Sequence, residues 1–263
     1  MGYRIDGGPR RIAVVRAANP DNPALDTAIS HAFLEEVTAG LRGETFRLYV
    51  PGRVVAFGRQ DTVAAGYPEA VRACRMGGYE AVERLAGGRA AVFNEGTLAF
   101  SWAIPSSDPV RRIGLRFAEI DRIVVGALSS LGFDARVGEV KGEYCPGRYS
   151  VNLSGRWKVM GVGQRLRRGV AHVGGVVAVS GRADINRVLT PVYRALAFDW
   201  DRNATGSLRA ARPETTMAEV ADAFLRQLAL FGETSEEQLG TDSLRRANEL
   251  LPQHIPAPSP GRS

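Results

Sequence analysis

Cysteine and lysine are the side chains best suited to carry acyl groups and exchange protons, and this chain is sparing with both. It has two cysteines, Cys74 and Cys145, and among 34 Lys plus Arg only two lysines, Lys141 and Lys158. Both lysines lie close to Cys145 in sequence. A chain this biased toward arginine uses it wherever a fixed positive charge suffices. The lysine ammonium is a compact point charge whose pKa burial can lower. The heptapeptide Glu143-Tyr-Cys-Pro-Gly-Arg-Tyr149 places a Pro-Gly turn directly after Cys145, so the thiol is expected at a loop edge, where scaffolds display reactive groups. The alternative is a buried, inert thiol. Cys74 falls in a helical, half-apolar stretch and reads as packing.

Two further segments could border such a thiol. In Arg84-Leu-Ala-Gly-Gly-Arg-Ala-Ala-Val-Phe93, Gly87 and Gly88 would let backbone amides approach a ligand, and Arg84 and Arg89 could hold an anionic or polar group. An ordinary hairpin turn with solvated arginines fits the same residues. In Lys158-Val-Met-Gly-Val-Gly-Gln-Arg165, Lys158 sits in an alternating strand and Gly161 and Gly163 leave room beside a bound chain. An edge-strand lysine that guards against aggregation is the competing reading. Of the three histidines, His31 falls in a helix, His254 in the tail and His172 in a Val/Gly strand, where it reads as structural, with an acid or base as the alternative.

Together these segments resemble the biotin/lipoate protein ligase superfamily, with its Arg-x-x-Gly-Gly loop and Lys-x-x-Gly-x-x-Gln strand. Tyr144-Cys-Pro-Gly-x-Tyr149 followed by Lys158-x-x-Gly-x-x-Gln-Arg165 is similar to one branch, the octanoyl-[glycine cleavage H protein]:protein N-octanoyltransferases. The similarity extends in order from about Phe46 to Leu208 and includes Glu95-Gly-Thr-Leu-x-Phe-Ser101 and Pro191-Val-Tyr193. It implies an acyltransferase that moves an octanoyl or lipoyl group, carried as a thioester on Cys145, to the lysine of lipoyl domains. The implied partners are glycine cleavage H protein and 2-oxoacid dehydrogenase E2. Lys158 would lie against the acyl carbonyl, with Arg84, Gly87, Gly88 and Arg89 lining the acyl site and Gly161 and Gln164 opposite. Transfer of this kind needs no cofactor and no metal. An ATP-dependent lipoate–protein ligase, which would need ATP and Mg, and a non-catalytic lipoyl-domain or acyl binder are the rival readings. Ala86 and Arg89 replace a Ser and a third Gly of the ligase pattern, and Asn94 replaces a His. These departures bear on adenylate handling more than on acyl transfer.

The scaffold must bring the three segments together. With 263 residues, 44% hydrophobic and 24% charged, the chain can bury a large core. No apolar run approaches the roughly 20 residues needed to span a bilayer, and residues 1–11 carry no secretory pattern. Two cysteines are too few for a disulfide framework, so a reduced, cytoplasmic setting is expected. The net charge of +6 is scattered, with no nucleic-acid-binding module. Strands are expected at 11–16, 46–50, 54–57, 80–85, 90–93, 98–104, 149–153, 157–162 and 170–179. Of these, 46–50 and 54–57 read as a hairpin about Pro51-Gly52, and Ser154-Gly155 as the turn joining 149–153 to 157–162. Helices are expected at 25–41, 68–76, 117–131, 217–230 and 235–251. The mixture lacks a regular βαβ alternation, which predicts an α+β fold with a largely antiparallel mixed sheet flanked by helices. The resemblance places a catalytic domain at 1–210; apolar spacing gives a helical segment at 211–251 packed on it, and Pro/Ser composition predicts a disordered tail at 252–263.

Overall fold

The computed structural model describes residues 10–257. In chain order the elements are β1 (Arg11–Val15), α1 (Pro23–Thr38), β2 (Thr45–Tyr49), β3 (Val54–Phe57), α2 (Arg59–Thr62), α3 (Tyr67–Met76), β4 (Glu80–Glu83), β5 (Ala91–Phe93) and β6 (Thr97–Pro105). They continue with α4 (Ile113–Ser130), β7 (Ala135–Val137), β8 (Val151–Leu153), β9 (Trp157–Arg167), β10 (Val170–Ala178) and α5 (Arg182–Ala195). The last are α6 (Leu208–Ala211), α7 (Met217–Leu228), β11 (Glu233–Glu237) and α8 (Thr241–Leu250). Eight strands form one sheet in the order β11-β1-β2-β6-β10-β9-β8-β7, and β4-β3-β5 form a second. Six of the nine strand pairings are antiparallel and three parallel, so the α+β expectation holds.

Strand periodicity sorts the large sheet into two faces. Leu98, Phe100, Trp102 and Ile104 of β6 join Val173 and Val177 of β10 in a core closed by α4 and α7. The opposite face carries Ser101, Gly174 and Gly163, which lie side by side across β6, β10 and β9. Small residues in register leave a trough there. α1 and the small sheet cover it, and α3 and α5 pack on the far side of the small sheet.

The pairing differs from local expectation at two places. β2 and β3 do not form a hairpin: β2 pairs with β1 and β6 in the large sheet, whereas β3 is the centre of the small one. All four residues of β3 are buried, as suits a strand packed on both faces, and Pro51-Gly52 carries the chain between sheets. Likewise β4 and β5 flank β3 instead of pairing across Gly87-Gly88, which frees the 84–90 segment to cross the cavity mouth.

The C-terminal region is not purely helical. Glu233–Glu237 is a strand that extends the large sheet by parallel pairing with β1, and the helix begins only at Thr241. The acidic residues have helical propensity, but the unpaired backbone of β1 claims them. Nor is the chain disordered from Pro252. Leu251–His254 forms a 3₁₀ turn and His254 is buried; residues 258–263 lie outside the described region.

His254 ends a chain of hydrogen bonds. Arg167 Nη2 donates to His31 Nε2 at 3.1 Å, His31 Nδ1 lies 3.0 Å from His254 Nε2, and His254 Nδ1 lies 2.8 Å from the Glu83 carbonyl. Because arginine only donates, both tautomers follow: each Nδ1 carries the proton and each imidazole is neutral. Burial and neighbouring positive charge hold His31 down to about 4, against Glu35 on the same helix; burial first, then His31 and Arg165, likewise hold His172 at about 4. Below about 6.5 the unfolded chain binds these protons first. Stability contributed by the neutral imidazoles is therefore complete above that pH and lost as pH falls toward 4. Urea titrations should show wild type losing stability more steeply between pH 6.5 and 4 than His31→Gln. Parallel curves for the two proteins would show that His31 has no part in it.

Candidate active site

The trough is the floor of a cavity of about 310 Å³, at the small end of the range for sites that enclose small molecules, roughly 300–1,000 Å³. Arg84, Gly87, Gly88, Cys145, Lys158, Gly161 and Gln164 all line it. Residues from three distant segments thus converge on one space. Arg89 does not line it. Its guanidinium turns away, 3.6 Å from the buried Asp61 carboxylate and 4.2 Å over the Phe198 ring, and only its backbone amide reaches the site.

Cys145 is half-buried at the cavity wall, so the sealed-thiol alternative does not describe it. Its φ of 43° is left-handed, a conformation that costs a non-glycine residue roughly 1–3 kcal/mol unless its surroundings impose it. Both peptide flanks are held. The Cys145 N–H donates to the Tyr193 hydroxyl at 3.0 Å, and that hydroxyl donates in turn to the Ala90 carbonyl at 2.8 Å. The Cys145 carbonyl accepts from Lys158 Nζ at 2.6 Å.

Lys158 is 1% exposed. An ammonium has three N–H groups, and each has an acceptor: Glu143 Oε1 at 2.9 Å, the Tyr144 carbonyl at 2.9 Å and the Cys145 carbonyl. The ring of Tyr144 lies 5.0 Å away. Glu143 in turn accepts from Lys158, Ser150 Oγ, and the amides of Val140 and Gly147. One buried carboxylate therefore organises the loop 140–150 about the lysine. Nothing in the heptapeptide pattern distinguishes Glu143 from a solvated charge; only its pairing does.

The sulfur has different neighbours. Cys145 Sγ lies 3.2 Å from the Arg89 amide nitrogen and 3.4 Å from Arg84 Nη2. Burial pushes the thiol up. Against that act the positive charges of Arg84 and Lys158, the Arg89 amide and the Arg84 hydrogen bond, and the thiol ends below its ordinary value. Cys74 behaves oppositely: it is buried, donates toward the Tyr79 and Glu80 carbonyls, and burial pushes it up to about 12. Gly88, with φ 92°, lies against both Arg84 and the sulfur. A Cβ there would lie 2.6 Å from Arg84 Nη2 and 3.0 Å from Sγ. Gly163 has a comparable role on the floor, where a Cβ would lie 2.9 Å from Ala86 Cβ. Gln164 is anchored, accepting from Arg116 Nε at 2.9 Å and donating to the Ile113 carbonyl at 3.0 Å.

Away from the sulfur the cavity reaches α1. Arg47 pairs with Asp26 and donates to the Ala17 carbonyl at 2.7 Å; Ser30 Oγ donates to Ser101 Oγ at 3.0 Å. The ring of His172 lies over Gly174. Asp26 and Ser30 escape motif reading, and although Glu143 and Tyr193 lie in segments that carry the resemblance, their pairing with Lys158 and with the Cys145 amide has no signature there.

The sequence pattern of the lipoyl protein ligase A/B catalytic domain matches residues 22–229. The chain belongs to that family. It is 32% identical over 154 residues to an octanoyl-[GcvH]:protein N-octanoyltransferase of Geobacillus kaustophilus, covering 59% of this chain and 54% of that protein. With the enzyme of the same name from Bacillus velezensis it shares 30% over 208 residues, covering 76% and 71%. A lipoyl-[GcvH]:protein N-lipoyltransferase of Listeria monocytogenes is 27% identical over 155 residues, with 57% and 55% covered. The chain thus spans little more than half the length of the Geobacillus and Listeria proteins. Among solved structures, a lipoate-protein ligase A bound with ATP superposes with a TM-score of 0.76 at 21% identity, covering 92% of this chain and 95% of the other. A Thermoplasma acidophilum protein with bound lipoic acid gives 0.74 at 22%, covering 94% and 96%. At those identities the superpositions establish the fold, which is that of the family.

Within this family fold the Glu143–Lys158 pair is a structural liability if halved. Removing one partner of a buried ion pair leaves an uncompensated charge and costs about 3–5 kcal/mol. Glu143→Ala should lose stability of that order in urea unfolding, far more than Glu69→Ala at an exposed pair. Equal losses would show that the buried pair does not hold the loop.

Proposed function

We propose that this protein moves an octanoyl or lipoyl group from one protein lysine to another through a thioester on Cys145. The observation that carries the reading is the cysteine itself: a largely buried thiol held below its ordinary pKa at the wall of an enclosed cavity. A lysine amide is a poor electrophile and its amine a poor leaving group, so a covalent intermediate splits the exchange into two easier steps. In the first, the thiolate attacks the amide carbonyl, a C–S bond forms, the C–N bond breaks, and the departing nitrogen takes a proton. In the second, an acceptor lysine attacks the thioester, gives up a proton, and the thiolate leaves. The two halves balance without ATP.

Lys158, held at the Cys145 carbonyl, is the cation that exchanges protons in this scheme, since arginine does not titrate near neutrality. With its three N–H groups bonded to Glu143 and two carbonyls, it serves the leaving amine by releasing one of those carbonyls. The acyl chain lies in the trough, with Gly161 and Gly163 beneath it and the Arg84–Gly88 segment above. The relatives' names point to glycine cleavage H protein as one protein substrate, and a 2-oxoacid dehydrogenase E2 lipoyl domain is the acceptor we infer, in the cytoplasm. Among the described residues no helix is long and apolar enough to cross a membrane. Asn94, which stands where the ligase pattern has a histidine, is consumed by bonds to the Tyr79 hydroxyl and the Gly96 amide, an arrangement that favours transfer over adenylate formation.

Incubation with octanoyl-H protein and no ATP should add an octanoyl mass to Cys145, visible by intact mass spectrometry and absent from Cys145→Ala. Undiminished transfer by Cys145→Ala would defeat the thioester route. Lys158→Arg, which retains the charge opposite Glu143, should lose turnover by about 10²–10⁴-fold while its circular dichroism stays unchanged; full activity would remove Lys158 from proton transfer.

A further inference from the structure

A buried cation needs a counter-anion, and the two cations beside Cys145 differ in whether they have one. Lys158 has Glu143, and its three donors are all taken. It meets the cysteine at the carbonyl oxygen and offers no hydrogen to the sulfur. Arg84 is half-buried, and no carboxylate lies within ion-pairing distance of it among the described residues. Its Nη2 bonds the Arg89 carbonyl at 2.8 Å and the sulfur at 3.4 Å, and its buried Nε has no protein partner. Asp61 feels the charge of both Arg84 and Arg89 but pairs with Arg89. The other titratable groups facing the sulfur are Tyr144 and Tyr193, whose hydroxyls burial holds neutral.

We propose that Arg84 is the counter-cation that keeps Cys145 a thiolate, and that Lys158 is a positioning residue for the Cys145 backbone in the free enzyme. The anion is the missing partner of the guanidinium, and the Arg89 amide gives it a second donor. Gly88 fits the same design, because only a residue without Cβ lets the guanidinium and sulfur meet. The proton released on forming the thiolate goes to solvent. The division assigns two tasks to two cations. Arginine, which does not give up its proton, holds the charge, and lysine remains available for exchange once substrate displaces a carbonyl. The assignment builds on Cys145 as nucleophile, but the sulfur can be read without any acyl substrate, so its failure is distinct from failure of the transfer reaction.

The test is the pH dependence of Cys145 alkylation by iodoacetamide, followed by mass with the full-length protein; Cys74, buried and pushed up to about 12, stays silent near neutrality. Wild type should titrate below an ordinary thiol. Arg84→Gln should move the midpoint up by about one pH unit or more and slow alkylation at pH 7 by about tenfold. Arg84→Lys should restore part of the shift, and Lys158→Arg should leave the midpoint in place. Gly88→Ala, which parts the guanidinium from the sulfur, should act like Arg84→Gln and provides the same reading if that variant does not fold. An unchanged midpoint in whichever of Arg84→Gln and Gly88→Ala folds, or a shift found only in Lys158→Arg, would overturn the assignment.

Discussion

The ion pair between Lys158 and Glu143 is the constraint on which the site depends. It is fully enclosed, and in such a place neither charge is tolerable without the other and without hydrogen bonds for the remaining donors and lone pairs. Meeting those demands fixes the loop. Lys158 spends two N–H groups on consecutive carbonyls, Tyr144 and Cys145, while Glu143 gathers two amides and a hydroxyl. The chain can satisfy this geometry only by turning sharply, and Cys145 takes the left-handed conformation that results. The strain is local and the compensation is the polar network around it. A thiol presented this way is aimed by its backbone, with few rotamers left to search.

The cavity follows from a second constraint, the register of the large sheet. Ser101, Gly174 and Gly163 are opposite one another because β6, β10 and β9 pair as they do, and a slip of one residue would bring the alternate set to the trough. Val173 and Val162 would then fill it, and the small residues would face α4 and α7. The Arg47–Asp26 pair closes the other side by tying β2 to the start of α1. Packing of α1 and the small sheet over the trough thus leaves a void bounded by backbone where a side chain would otherwise lie.

Much of this was legible in the sequence, and the rest was not for identifiable reasons. Periodicity located most helices and strands, since which residues face inward depends on local repeat alone. Pairing depends on partners far along the chain, so the apparent β2–β3 hairpin split between two sheets, and Glu233–Glu237 became a strand against its own propensity. His254 looked like part of a loose tail because nothing nearby in sequence needs it; His31, more than 200 positions earlier, does. The motifs brought Cys145, Lys158, Arg84 and Gly88 to one cavity, yet they could not say which cation meets the sulfur. That depends on Glu143 having already engaged the lysine, a three-body arrangement with no signature in spacing.

Charge is distributed unevenly along the cavity, and this orients what enters. From β9 across β10 and β6 to β2 the trough crosses three strand spacings, about 14 Å. At the β9 end stands Arg84, with the sulfur and, among the described residues, no carboxylate within ion-pairing distance. At the β2 end Asp26 is neutralised by Arg47, and on β10, between the two ends, the buried ring of His172 stays uncharged down to about pH 4. On the thioester reading, a bound chain would meet positive potential at its mouth, where the tetrahedral intermediate develops negative charge, and a neutral ion pair toward its tail. Reversing a carboxylated chain in this space would bring its anion against Asp26, whose Oδ2 has no hydrogen-bond partner, and away from Arg84. On the thioester reading, the asymmetry suits an uncharged acyl tail pointing inward and a carbonyl at the sulfur, so the ion pairs that shape the loop would also set the polarity of the substrate.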